Sequence, residues 1–214
     1  MKTFIIKNET IDWLLTVDSS IRWQVMNDLL DIDKTSVNKE REKVSKAGWG
    51  KILLEKQDDD CKWANSLYSP KWISTTYSLY ILKELGILQN EQTQKGCEQL
   101  FENGIFNNEE IRLSRNRLLR DNAITGLVLG ILSYFNYKDE RLHSIAQFLS
   151  KNQNGNGTWH YDNKEGADKY AFETTLLILK GLFDYQKYIP NSLNLNQSIE
   201  KAQNFLLSYN LFLD

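Results

Sequence analysis

Proline is scarce in this chain, with only Pro70 and Pro190 among 214 residues. Proline interrupts helices, so its scarcity favours an all-α fold. Both prolines stand where helices should stop or start. Cysteine is equally scarce. Cys61 and Cys97 lie far apart in the sequence and read as reduced thiols, which points to a soluble cytoplasmic protein. No apolar run approaches the length of a transmembrane helix. The start, Met1 to Lys7, holds an apolar run of three residues, too short for a signal peptide. Charge of one sign is also lacking: 26 basic residues stand against 28 acidic ones. That balance offers no basic surface for nucleic acid and no polybasic run for a membrane. No segment shows the strict alternation of a strand. What is present is an apolar fraction of 41% with 12% aromatics, enough for a globular chain with a core.

Apolar residues recur at helical spacing almost throughout. Ile11, Leu14 and Leu15 predict a short first helix. Asp18, Ser19 and Ser20 are capping residues for a second, which carries Ile21, Val25, Leu29 and Leu30. Residues 36–57 predict one long third helix, and 72–85 a fourth closed by Gly86 as a C-cap. Further helices are expected near 91–103, 120–136, 138–152, 168–187 and 196–210.

These helices repeat. Ile145 to Gln153 matches Trp49 to Gln57 and Ala202 to Asn210, with a weaker copy from Gly96 to Gly104. Their partner helices align on Ser78, Thr125 and Thr175, each followed by aliphatic residues at +3, +4 and +7. The chain reads as one helical-repeat domain over 1–214. An N-terminal hairpin covers 1–35, and helical hairpins of about 50 residues cover 36–214. Stacked hairpins each bury a face against the next.

Two loops after the repeated strips place a Gln and a Trp six residues apart: Gln57 with Trp63, and Gln153 with Trp159. The second reads Gln-x3-Gly-x-Trp after an aromatic residue and aliphatics. This resembles the QW motif of squalene/hopene cyclases and the protein prenyltransferase β-subunit superfamily. Ser69-Pro70-Lys71-Trp72, Trp13 and Ile21-Arg22-Trp23-Gln24 also resemble a small bacterial squalene-cyclase-like group. The resemblance covers roughly residues 36–210. It implies an α/α toroid of antiparallel hairpins, here incomplete because the chain has fewer hairpins than close a ring in the family. It also implies that the Gln caps a helix end and that the Trp covers it, tying neighbouring hairpins together. Cys61 stands where the second copy has Gly157, so the first loop is expected to follow another path.

A fold does not carry a reaction with it. The Asp-x-Asp-Asp acid motif of the cyclases is absent, since Asp31-Ile32-Asp33 is followed by Lys34. The Asp-Asp-x-x-Asp diphosphate motif fails at Lys62, and the triplet from Asp58 to Asp60 reads as a solvated loop. Prenyltransferases hold zinc with Asp, Cys and His. Asp59 and Cys61 have those types, but His143 and His160 are the only histidines and no convergence is visible, so no metal or other cofactor is predicted. Glu173 opens an otherwise apolar helix. As a cavity-lining carboxylate against aromatic walls it would act as an acid; as a first-turn acid it would only answer the helix dipole. Trp72, Thr76, Tyr77, Tyr80, Asn122, Thr125 and Phe172 are the candidate ligand-contacting residues on partner helices, with ordinary aromatic packing as the alternative.

Two functions remain. One is an enzyme or binder of an isoprenoid or other apolar molecule, with a homodimer or a further C-terminal portion closing the ring. The other is a non-catalytic helical-repeat module that binds proteins. A deep apolar pocket among the partner helices separates the first from the second. A carbohydrate enzyme would need paired carboxylates, and Glu173 has no evident partner.

Overall fold

The computed structural model describes residues 8–113, 121–159 and 167–208. His160, Asn210 and the side chain of Tyr170 lie outside the described residues. The fold is all-α apart from one two-stranded hairpin. Helices α1 (Asn8–Thr16), α2 (Ser19–Asp28), α3 (Lys34–Arg41) and α4 (Gly48–Leu54) lead into α5 (Thr75–Leu85) and α6 (Glu91–Gly104). Strands β1 (Ile105–Phe106) and β2 (Glu110–Ile111) pair antiparallel. Helices α7 (Asn122–Tyr134), α8 (Arg141–Lys151), α9 (Ala167–Tyr188) and α10 (Asn196–Ser208) follow. Among the described residues no helix is long and apolar enough to cross a membrane.

The expected long helix over 36–57 is two helices. Gly48 sits at φ +67°, outside the right-handed helical region, and a Cβ there would overlap the Asp18 carboxylate. Asp18 caps both neighbours: Oδ1 accepts from the Ser20 N–H at 2.8 Å and Oδ2 from the Trp49 N–H at 3.0 Å. Burial alone would push this carboxyl up, but those bonds and the charge of Arg22 hold it below the ordinary carboxylate range. The fourth helix begins at Thr75 rather than at 72, because Trp72 stands at φ +72°. Gly86 ends it in the left-handed conformation, as its position predicts.

Helices α5, α7 and α9 form a central row in which α7 contacts both others. Helices α4, α6, α8 and α10 flank that row, each packing on the next or preceding central helix. Helix α7 is buried almost throughout. Its Gly126 and Gly130 let it meet α9 backbone to backbone. A Cβ on Gly126 would come within 2.6 Å of Ile178 Cα, and one on Gly181 would overlap the Gly126 carbonyl oxygen.

The two Gln…Trp loops have the same geometry. Gln57 Nε2 donates to Cys61 O at 2.9 Å in its own loop and to Gln92 O at 3.0 Å on α6. Gln153 Nε2 donates to Gly157 O at 3.0 Å and to Ser198 O at 2.8 Å on α10. Each amide therefore bridges a loop to the flanking helix of the next hairpin. The helix-end carbonyls are taken by the tryptophans instead. Trp63 Nε1 donates to Leu53 O at 2.8 Å and Trp159 Nε1 to Leu149 O at 2.7 Å. Contrary to expectation, Cys61 does not divert its loop. It adopts φ +63° where Gly157 has φ +90°, and both backbone N–H groups close the same turn, Cys61 onto Asp58 O and Gly157 onto Asn154 O, each at 2.9 Å.

The middle repeat lacks the Trp. Ile111 stands midway between Trp63 and Trp159, 48 residues from each, and is equally buried. Its loop is a β-hairpin, a feature that no alternation in two-residue strands could announce. A threonine hydroxyl receives each of these three residues. Thr75 Oγ1 accepts from the Trp63 N–H at 3.1 Å, Thr125 Oγ1 from the Ile111 N–H at 3.1 Å and Thr175 Oγ1 from the Trp159 N–H at 3.3 Å. The equivalent hydroxyl in the first repeat is thus Thr75, one turn before Ser78.

Two substitutions test this packing. Gly181→Ala should cost about 3 kcal/mol through overpacking against backbone that cannot move aside. That corresponds to a fall of roughly 6–12 °C in the Tm of a domain this size, read by circular dichroism. An unchanged Tm would show that α7 and α9 do not touch at this point. Cys61→Gly should instead stabilise the fold by about 1 kcal/mol, because a left-handed L-residue carries a steric cost that glycine lacks. A destabilised Cys61→Gly variant in chemical denaturation would contradict the shared loop geometry.

Candidate functional site

The N-terminal end of the central row gathers the aromatic residues. Residues 64–74 fold over the start of α5 and are pinned by two threonines. Thr75 Oγ1 donates to Ser66 O at 2.7 Å and Thr76 Oγ1 to Leu67 O at 2.6 Å. Tyr77 is buried and packs between Tyr68, with ring centroids 5.6 Å apart, and Trp72, at 5.0 Å. Trp72 itself is 68% exposed, and its neighbour Ile73 is exposed too. Burial, together with the hydroxyl bond to Tyr77, pushes the Tyr68 phenol well above the ordinary range. Tyr68 also borders an open cavity of about 600 Å³ next to Asn103 and Leu113.

Asp121 completes this cluster. It is the N-cap of α7, accepting from the Ile124 N–H at 3.0 Å. Its carboxyl lies close enough to Tyr68 to act on that phenol electrostatically, and it feels the charge of Lys71. Burial raises the carboxyl above its ordinary range. The Ile124 and Ala123 N–H groups and Lys71 pull the other way without overcoming it. Neither Tyr68 nor Asp121 was among the residues singled out from the sequence. The sequence pattern places Asp121 inside a helix over 120–136, so neither its capping role nor its burial was announced.

The other candidates disperse. Trp72 precedes its helix instead of lying on it. Thr76 and Thr125 are buried with their hydroxyls committed to loop backbone, so neither offers a polar handle to a ligand. Asn122 is buried at the start of α7. Phe172 is half-buried against the core. Glu173 is exposed on α9, six residues past its first residue Ala167, so it is not a first-turn acid. Tyr80 belongs further along the row, where its Oη accepts from Lys180 Nζ at 3.1 Å. The triplet from Asp58 to Asp60 is a surface loop whose carboxylates serve locally, Asp58 accepting from the Asn65 N–H at 2.7 Å and Asp60 pairing with Lys62 at 2.7 Å. Cys61 is half-buried, and His143 Nδ1 bonds the Tyr185 hydroxyl at 2.5 Å. Among the described residues no group of three His, Cys, Asp or Glu side chains could hold a metal ion.

Midway along α5, α7 and α9 little space remains between the described residues. Tyr80, Leu127, Leu177 and the Lys83–Asp184 pair line a space of about 10 Å³ between α5, α7 and α9. That is at most room for one water. A ligand pocket for an organic molecule typically needs several hundred Å³.

The Asp121 environment makes a pH-dependent prediction. A carboxyl whose folded pKa is raised contributes stability below its unfolded pKa and loses it as pH rises through the folded value. Asn also caps helices well. Asp121→Asn should therefore keep the cap, leave Tm at pH 7 unchanged or higher, and show no such advantage near the unfolded carboxyl pKa of about 4. A variant destabilised at pH 7, with the deficit vanishing in acid, would mean that the charged form is favoured in the fold.

Compared with protein-family models, with curated proteins and with solved structures, the chain has no match in any of the three.

Proposed function

We propose that this chain is a helical-repeat module that binds a polypeptide partner without catalysing a reaction. Its hairpins form an incomplete α/α toroid resembling that of squalene/hopene cyclases and prenyltransferase β-subunits. The observation that carries the functional reading is the closed central row. Gly126, Gly130 and Gly181 bring α7 and α9 into backbone contact, and about 10 Å³ remains among α5, α7 and α9. An isoprenoid has no room there. Helical repeats often bind extended partners along their surfaces, and a cleft of about 500 Å³ opens at the C-terminal end of this row. The shared Gln…Trp geometry supports the family resemblance, because it ties each loop to the next hairpin in the way the motif implies.

A second reading keeps an apolar or isoprenoid ligand, with a homodimer closing the ring. One observation favours it: Tyr68, Trp72 and Tyr77 pack together, and Tyr68 lies within electrostatic reach of the raised carboxyl of Asp121. Two measurements decide between them. Thermal shift with farnesyl and geranylgeranyl diphosphate should give no rise in Tm, whereas a ligand at 100 times its Kd would add about 2.7 kcal/mol, or roughly 5–10 °C. A rise of that size moves the assignment to the second reading. An array of random short peptides should contain binders. An array with none would remove the first reading.

A further inference from the structure

Helices α2 and α3 dock on the C-terminal end of α5. They leave a cleft of about 500 Å³ between themselves and the ends of α5, α7 and α9. A helix C-terminus ordinarily attracts cations. Here four successive carbonyls are already occupied. Gln24 Nε2 donates to Glu84 O at 3.3 Å, Trp23 Nε1 to Leu85 O at 3.0 Å, Arg41 Nε to Gly86 O at 2.7 Å and Tyr134 Oη to Ile87 O at 3.0 Å. The acids on the α5 and α9 walls are engaged as well. Asp184 pairs with Lys83 at 2.9 Å, and Glu84 with Lys83 at 3.2 Å and Lys180 at 3.5 Å.

What is left over is basic. The Arg41 guanidinium is fixed by Gly86 O, by Tyr134 Oη at 2.7 Å and by the Trp23 ring, whose centroid lies 4.9 Å away. Among the described residues it pairs with no carboxylate. Lys34 bonds the neutral Asn27 amide at 2.8 Å, and Lys187 lies over the Tyr188 ring at 5.0 Å. Against these three cations, Asp28 is the acid of the lining that has no basic partner among the described residues.

We propose that this cleft binds an acidic segment of a partner polypeptide. A carboxylate meets the held guanidinium of Arg41, flanking carboxylates meet Lys34 and Lys187, and apolar side chains rest on Trp23 and Tyr188. A planar fork suits a carboxylate. A compact phosphate is disfavoured because α5, α7 and α9 bring their C-termini to the cleft, and the α3 N-terminus is already capped by Asp33. The proposal rests on the polypeptide-binding reading and names the partner's chemistry.

Fluorescence polarisation tests it with three labelled peptides, in which Glu, Gln or Lys alternates with Phe. The Glu peptide should bind about tenfold more tightly than the Gln peptide, with affinity falling as salt rises. Lys34→Glu combined with Lys187→Glu changes two exposed side chains and should weaken Glu-peptide binding about tenfold, with an unchanged circular dichroism spectrum. Arg41→Lys, which keeps the charge and loses the fork, should weaken it as well. Equal binding of the Glu and Gln peptides, or Glu-peptide binding untouched by the double variant, overturns the cleft assignment and leaves the polypeptide reading standing. Displacement of the Glu peptide by inorganic phosphate at lower concentration than by free Glu peptide also overturns it, in favour of a phosphate site. If no peptide of any charge binds, here or on the array, the polypeptide reading itself falls.

Discussion

Gly181 lies so close to the Gly126 carbonyl that no side chain could stand between α9 and α7. Most of the architecture depends on that contact. It draws two central helices together until side chains of the same row fill the space beside them, with Tyr80, Leu127 and Leu177 in the gap. Lys83 and Asp184 can then meet as a largely buried pair. Burial alone would lower the lysine and raise the acid; the partner charges carry Lys83 upward overall, while Asp184 stays above its ordinary range. Helix α9 still keeps an exposed face along its length, where Leu176 and Phe183 are both exposed.

The hairpins are held to one another by polar bonds that leave few backbone groups unpaired. A Gln amide crosses to the next flanking helix, a Trp indole closes the helix behind it, and a threonine hydroxyl receives the Trp backbone. The middle repeat keeps only the last of these and replaces the rest with a β-hairpin. Both solutions satisfy the same requirement, since a loop buried under the next hairpin must pair its own backbone groups. The conserved element of the geometry is thus the hydroxyl-to-backbone bond, not the Trp itself.

The ends differ in chemistry. At the N-terminal end, Tyr68, Tyr77 and Trp72 pack together, and Tyr68 lies within electrostatic reach of Asp121, a carboxyl that burial has pushed up. At the C-terminal end, the helices α2 and α3 act as a cap on the repeat: their donors take the Leu85 and Gly86 carbonyls, and Arg41 is held without an acid among the described residues. Terminal repeats of helical arrays need a polar closure of this kind, and here the closure also shapes a cleft.

Periodicity and capping signals determined most of the helices and the repeat. They work because helical faces and caps are local in sequence: Asp18 and Gly86 cap α2 and α5 as their neighbours predict. The same locality explains the misses. The break at Gly48 depends on Asp18, thirty residues earlier. Trp72 looks helical until its loop is folded back onto Tyr77. Glu173 reads as the opening of a helix, but α9 begins six residues earlier, at Ala167. Whether a row of helices encloses a cavity is decided by the closest approach between them. That distance is set by glycines facing one another across 55 residues of sequence, Gly126 and Gly181, and only the tertiary structure brings them together.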